Sequence, residues 1–306
     1  MIQIFKKTEK ETELRTLDHL EVGSWVNAVA PTAHELDALA ERCELSRDLL
    51  EDSADPHELP RVEQENGTLY VYIRVPVERH GKIDTRPLTI ITTGSYLVTI
   101  SLHDTPILNR FVAKRLDVFT TEKSKFLIYV FNEIVRAFYL HIKAIAKSVS
   151  RQRVQLRQLR NRDIVNLVEH EEVLNDFNAS LLSNVAVYER IASGKVVPLV
   201  EHDQDLIQDL LVDANQVLKF CQESIHSITN IREAYSTILS NNLNKTLKFL
   251  TSMTVILTVP LLVSSIYGMN VRLPYAEDPN AFNLIAALMV ISSLGTFGVF
   301  VWRKWL

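Results

Sequence analysis

Cysteine is scarce in this chain. The two present, Cys43 and Cys221, fall in no CxxC or Cys/His spacing, so neither a disulfide framework nor a structural zinc site is expected. Read as thiols, both belong in a core. Excess positive charge is also missing: 33 Lys and Arg stand against 37 Asp and Glu, a net charge of -4 that leaves no footprint for nucleic acid. The first thirty residues carry Glu9, Glu11, Glu13, Asp18 and Glu21 and no apolar core of a leader, so no secretory signal is expected and the N-terminus is assigned to the cytosol. Gly-rich phosphate loops, GxSxG and HExxH are absent, and His80, His103, His141 and His202 are isolated, which argues against an enzyme.

The most informative absence is of charge. Residues 249–271 and 281–302, runs of 23 and 22, contain no charged side chain, and each meets the roughly 20 apolar residues a membrane-spanning helix needs. The connection 272–280 is nine residues, so the spans form a hairpin. Lys245 and Lys248 precede the first span and Arg303 and Lys304 follow the second, which places both chain ends in the cytoplasm of a multi-pass plasma-membrane protein. Trp302 and Trp305 sit where an aromatic belt belongs. Glycine is missing between Gly194 and Gly268, and Pro260 is the one proline after Pro198 in that interval. Residues 201–267 therefore read as one helix of about 100 Å at about 1.5 Å per residue. Leu218, Cys221, Ile225, Ile228, Tyr235 and Ile238 give it an apolar stripe that needs partner helices.

What is present before residue 120 is a mixture of helical pattern ("PTAHELDALAERCE") and strand-like runs at 69–77, 87–93 and 96–102, with a turn at Thr93-Gly94-Ser95. The fold class is an α+β membrane protein with an N-terminal cytosolic α/β domain. The expected divisions are the α/β domain at 1–120, a cytosolic helical region with the stalk at 121–248, a first span at 249–271, an external loop at 272–280, a second span at 281–302 and a basic tail at 303–306.

The first span carries a polar stripe. Asn244, Leu247, Thr251, Thr254, Thr258, Leu261, Ser265 and Gly268 recur at spacings of 3 and 4, one face of a helix in a left-handed bundle. Pore lining is the favoured reading; helix packing through small and hydroxylated residues is the alternative. Leu247, Leu250 and Leu261 are candidate constrictions that gate by dewetting. Further upstream, residues 199–218 hold Glu201, Asp203, Asp205, Asp209 and Asp213 and no Lys or Arg. Asp205, Asp209 and Asp213 share a face at i, i+4 and i+8, where like charges repel unless a cation intervenes. Part of the cluster can equally complement a helix N-terminus. Residues 136–162, by contrast, hold eight basic side chains and no acid, read as a solvated face or one paired with Glu169, Glu171 and Glu172.

The motif "YGMN" at 267–270, closing the first of two C-terminal spans, resembles the CorA family of magnesium channels. The long preceding helix, the short loop, the basic "RKWL" end and "DPHELPRVE" at 55–63 extend the resemblance over the whole chain. It implies a homopentamer in the lipid bilayer whose first spans line a pore beneath a cytosolic funnel. It also implies Mg²⁺ as the transported and regulatory ion, with Co²⁺ and Ni²⁺ as further cargo. Tyr267, Gly268, Met269 and Asn270 would form the selectivity filter. Mg²⁺ sheds water reluctantly, and neutral Asn270 and Gly268 oxygens accept hydrogen bonds from its hydration shell. A left-handed C-cap is the other use of this glycine and asparagine. By the family pattern Asp209 faces Asp52 of a neighbouring subunit across a divalent ion, with Asp48, Asp213 and Asp205 as auxiliary ligands. Glu277 and Asp278 against Arg272 give either a mildly cation-attracting mouth or ordinary solvated loop charges, two readings of equal weight. A zinc-transporting relative of the same fold is the nearer alternative, although that branch usually replaces the methionine of the motif. A membrane-tethered signalling domain is the more distant one. The basic run at 136–162 departs from acid-rich helices in relatives and argues against ion collection there.

Overall fold

A computed structural model of the 306-residue chain describes residues 1–79, 81–113, 118–154, 159–197, 199–271, 273–274 and 278–305. The described elements, in order, are β1 (Ile2–Lys6), β2 (Arg15–Leu17), β3 (Trp25–Val29), α1 (Ala33–Cys43), α2 (Arg47–Asp52), β4 (Arg61–Glu65), β5 (Thr68–Arg79), β6 (Lys82–Thr92), β7 (Leu97–Ser101), α3 (Pro106–Val112), α4 (Lys123–Val154), α5 (Asn161–Ala192), α6 (Glu201–Tyr267) and α7 (Ala281–Trp302). They fall into two compact units, Met1–Asn230 and Ile231–Leu306.

The first unit is built on a seven-stranded sheet of order β2-β1-β3-β7-β6-β5-β4. Every described neighbour pair is antiparallel except β3 with β7. The strand-like runs at 69–77, 87–93 and 96–102 fall in β5, β6 and β7. Between the last two, the Thr93 hydroxyl accepts the backbone N–H groups of Ser95 (3.1 Å) and Tyr96 (2.8 Å), closing the expected turn. The β4–β5 hairpin turns through Asn66 and Gly67 with φ of 49° and 79°, the left-handed pair a two-residue hairpin demands.

Alternation sends β3 side chains to both faces. Val26 and Ala28 join Leu36, Leu39, Cys43 and Leu50 of α1 and α2 in one core. Trp25 turns the other way, 5.2 Å from Phe5 and 5.1 Å from Phe126 between ring centroids. There α4 and α5 continue the packing through Phe131 on Tyr188 and Phe138 on Phe177. Helix α1 begins at a capping box: Thr32 Oγ1 accepts the Glu35 N–H at 3.2 Å, and Glu35 Oε2 accepts the Thr32 N–H at 2.8 Å. Both thiols are buried as expected, and burial pushes Cys43 up to about 11 and Cys221 to about 12.

The second unit holds residues 231–267 of α6, the connection, and α7. Among the described residues, α6 and α7 are the two helices long and apolar enough to cross a membrane. Asp278 starts α7 from a turn: its Oδ1 accepts the Asn280 N–H at 2.8 Å, and its carbonyl accepts that of Ala281 at 3.0 Å.

Candidate functional site

Helix α6 runs unbroken over 67 residues because nothing before Pro260 interrupts its backbone bonding. Pro260 lacks an N–H and so leaves the Ile256 carbonyl without its helical donor. In the first unit Leu218, Cys221 and Ile228 of the expected apolar stripe are buried and Ile225 is half-buried. The Cys221 thiol donates to the Leu174 carbonyl at 3.2 Å. In the second unit, residues 239–251 are exposed all round.

The polar stripe lies wholly on an uncovered face. Asn244, Leu247, Thr251, Thr254, Thr258, Leu261, Ser265 and Gly268 are all exposed. The covered residues of the same stretch are buried Ser252 and half-buried Ile256, Val259, Pro260, Val263 and Tyr267. In heptad terms the stripe occupies a and d, and the covered set falls on b, c and f, the opposite side of the cylinder. Leu247, Leu250 and Leu261 stand 49%, 60% and 67% exposed. The Thr254 hydroxyl donates to the Leu250 carbonyl at 2.9 Å, and that of Thr258 to the Thr254 carbonyl at 2.7 Å.

At the end of the helix, Gly268 N–H still donates to Ser264 O at 2.9 Å, and Met269 N–H closes a tighter bond to Ile266 O at 3.3 Å. Neither Gly268 nor Asn270 is among the residues with positive φ. The left-handed cap is therefore not formed. A Cβ at Gly268 would lie 3.3 Å from the Ser264 carbonyl oxygen, a tight contact with the helix's own last turn. Met269 and Asn270 are exposed. Of the two acids in the connection between α6 and α7, Asp278 serves the start of α7, and Glu277 lies outside the described residues.

Asp205, Asp209 and Asp213 are exposed along α6, whereas Asp203 turns inward and is buried. Asp213 also edges a cavity of about 610 Å³ with Glu133, Arg136, Tyr139 and Phe220. Asp48 is exposed in the first turn of α2. Asp52 ends α2 and accepts a 2.6 Å bond from the Arg61 guanidinium. Sequence reasoning missed Arg61, although Arg61 and Glu63 two residues apart in a strand were a visible sign of one charged face. Among the described residues, no group of three or more His, Cys, Asp or Glu is placed to hold a metal ion. The described basic residues between 136 and 162 are exposed, in keeping with a solvated face, and Arg136 pairs within α4 with Glu133 at 3.5 Å. His202 is exposed, His141 is half-buried, the His103 ring lies 2.8 Å from the Arg79 guanidinium, and His80 lies outside the described residues.

Residues 21–304 match a family model described as CorA-like Mg²⁺ transporter protein. The cobalt/magnesium transport protein CorA of Methanocaldococcus jannaschii is 25% identical over 279 residues, covering 87% of this chain and 86% of that protein. A magnesium transport protein CorA of Campylobacter jejuni is 23% identical, with both chains covered fully. The complete structure of the M. jannaschii CorA magnesium transporter superimposes with a TM-score of 0.90 at 22% identity, over 100% of this chain and 99% of that one.

Proposed function

We propose a transport mechanism from one premise: the chain belongs to the CorA-like Mg²⁺ transporter family. In this reading it is a divalent-cation channel of the plasma membrane. It conducts Mg²⁺, with Co²⁺ and Ni²⁺ as further cargo, through a central pore lined by α6 in a homopentamer. The observation that carries it is the continuous uncovered stripe from Asn244 to Gly268, set opposite the covered side of the same helix. Such hydroxyl and amide groups do not face lipid cheaply. Five copies of the stripe turned inward satisfy them in water.

Chemistry at the mouth follows from the donor set. Asn270 amide oxygens and Gly268 carbonyls are neutral acceptors, suited to the donor protons of a Mg²⁺ that keeps its water, and they bind it less tightly than carboxylates would. Gly268 keeps the last turn tight beside the Ser264 carbonyl. Leu247, Leu250 and Leu261 narrow the stripe with apolar side chains and close it by dewetting.

Regulation uses carboxylates, Asp209 exposed along α6 and Asp52 half-buried at the end of α2 beside Arg61. Asp52 and Asp209 offer hard oxygen ligands of the kind Mg²⁺ takes, and the family resemblance sets them across a subunit interface from each other. Asp48, Asp205 and Asp213 lie near enough in sequence to supplement it. Ion binding there cancels repulsion and favours the closed state. Its leverage is its differential affinity for the two states.

Flux into proteoliposomes with Mg²⁺, Co²⁺, Ni²⁺ and Zn²⁺ tests the reading. Uptake of Mg²⁺ is the expected result. Exclusive passage of Zn²⁺ would move the protein to the zinc-transporting branch, and no flux at all would return it to a membrane-tethered signalling role.

A further inference from the structure

Arg61 is held by three carboxylates from three segments of the first unit. Its guanidinium donates to Asp52 Oδ2 at 2.6 Å and to Glu63 Oε1 at 2.5 Å, and it also bonds Glu58. The aromatic ring of Tyr72 lies 4.1 Å beneath it. The sheet makes this possible, because Arg61 and Tyr72 stand directly opposite in the β4–β5 ladder. Tyr72 is in turn fixed by its own hydroxyl, which donates to the Leu49 carbonyl at 2.6 Å in α2. Three carboxylates against one guanidinium leave two negative charges in the cluster. Burial opposes the charge on Arg61, but the Glu63 hydrogen bond and the Glu58 and Glu63 charges outweigh it and raise its pKa. The cation is permanent.

We propose that Arg61 is a tethered competitor for the regulatory cation: it occupies Asp52 when the ion is absent and so sets the Mg²⁺ concentration at which the channel closes. The inference rests on the reading that Asp52 faces Asp209 of a neighbouring subunit across Mg²⁺. With the guanidinium already on Oδ2, an arriving dication meets a carboxylate whose charge is partly cancelled. It must share Asp52 or displace Arg61 toward Glu58 and Glu63. Those two acids are suited to receive it, since each already bonds a different nitrogen of the same fork. The cluster thus weakens ion binding without abolishing it, which keeps the closing midpoint high enough to respond to changes in a cytosol that always contains Mg²⁺.

The test uses the full-length protein, with two readouts: the Mg²⁺ midpoint for protection of the stalk from chymotrypsin, and the midpoint for suppression of flux. Arg61→Gln removes the competitor and is expected to lower both midpoints by about two- to fivefold, the scale of one partly exposed charge interaction. Arg61→Lys keeps the charge but cannot fork, and its midpoints should fall between those of Arg61→Gln and wild type. Unchanged midpoints in Arg61→Gln overturn the proposal. Raised midpoints overturn it too and make Arg61 a positioning residue that orients Asp52. If Arg61→Gln fails to assemble, Arg61→Lys carries the test, and midpoints at or above wild type overturn the proposal. The double variant Asp52→Ala with Asp209→Ala separates the two levels. If it raises the midpoints while Arg61→Gln does not lower them, only the competitor is lost. If it leaves them unchanged, the intersubunit ion itself is rejected and Arg61 with it.

Discussion

Asn184 and Arg74 are joined by a two-point clasp: Asn184 Oδ1 accepts the Arg74 backbone N–H at 3.0 Å, and its Nδ2 donates to the Arg74 carbonyl at 2.8 Å. The β4 ladder reaches β5 only as far as Tyr72, so Arg74 has no strand on that side. A fully buried side chain from α5 takes the strand's place and fixes helix to sheet. Asn184→Leu keeps the volume and strands both backbone groups. It should destabilise the first unit by about 2–4 kcal/mol, read as a lowered unfolding midpoint. A loss below about 0.5 kcal/mol would mean that water replaces the clasp.

Acid should weaken the same unit through two histidines. Burial lowers the pKa of both His141 and His170, despite the opposing charges of Glu78 and Glu169. A histidine held below its unfolded value of about 6.5 contributes stability above that pH, and the contribution disappears as pH falls, because the unfolded chain binds the extra proton. Replacing His141 by Phe and His170 by Gln should shrink the drop in melting temperature between about pH 7.5 and about pH 5.5. An unchanged drop would assign acid sensitivity to the carboxylates.

Asn270→Ala should reduce Mg²⁺ uptake to background while the assembled protein remains intact, because the variant removes the amide oxygens from the pore mouth. Wild-type flux from a folded variant would reject Asn270 as filter.

Native mass spectrometry of the purified chain should show a pentamer. A stable monomer or dimer would leave the polar stripe without a water-filled interior and would defeat the central-pore reading.

The variant Asp52→Ala with Asp209→Ala should still conduct. It should need several-fold more internal Mg²⁺ for suppression, corresponding to a coupling of about 1 kcal/mol or more, and should lose Mg²⁺ protection of the stalk. Unchanged suppression would reduce the acidic run to a solvated helix start.

Long-range charge patterning was the most legible part of the chain. Residues 249–271 and 281–302 announce themselves by excluding charge over more than twenty positions, and the bounds of α6 follow from where glycine and proline stop and resume. The central strands β5, β6 and β7 were equally plain, since burial on both faces gives them continuous apolar runs. β2 and β4 were not. Their residues are short, charged or half-exposed, and only pairing with neighbours makes them strands. The site divided along the same line. Asp52 was named only through the family resemblance, and its bond to Arg61 depends on α2 and β4 meeting over Tyr72, a contact that sequence spacing does not encode.

The back-bonded threonines of α6 bear on the sign of what the proposed pore would carry. A hydroxyl has one proton and two lone pairs, and at Thr254 and Thr258 that proton is committed to the helix's own carbonyls. What remains to face the lumen at these positions is oxygen that accepts and cannot give. Water around a magnesium ion points its protons outward and finds partners there. Chloride presents only lone pairs to such a wall and finds none. In the proposed pore an anion would find no donor at these two positions, and no formal charge would be needed there to disfavour it.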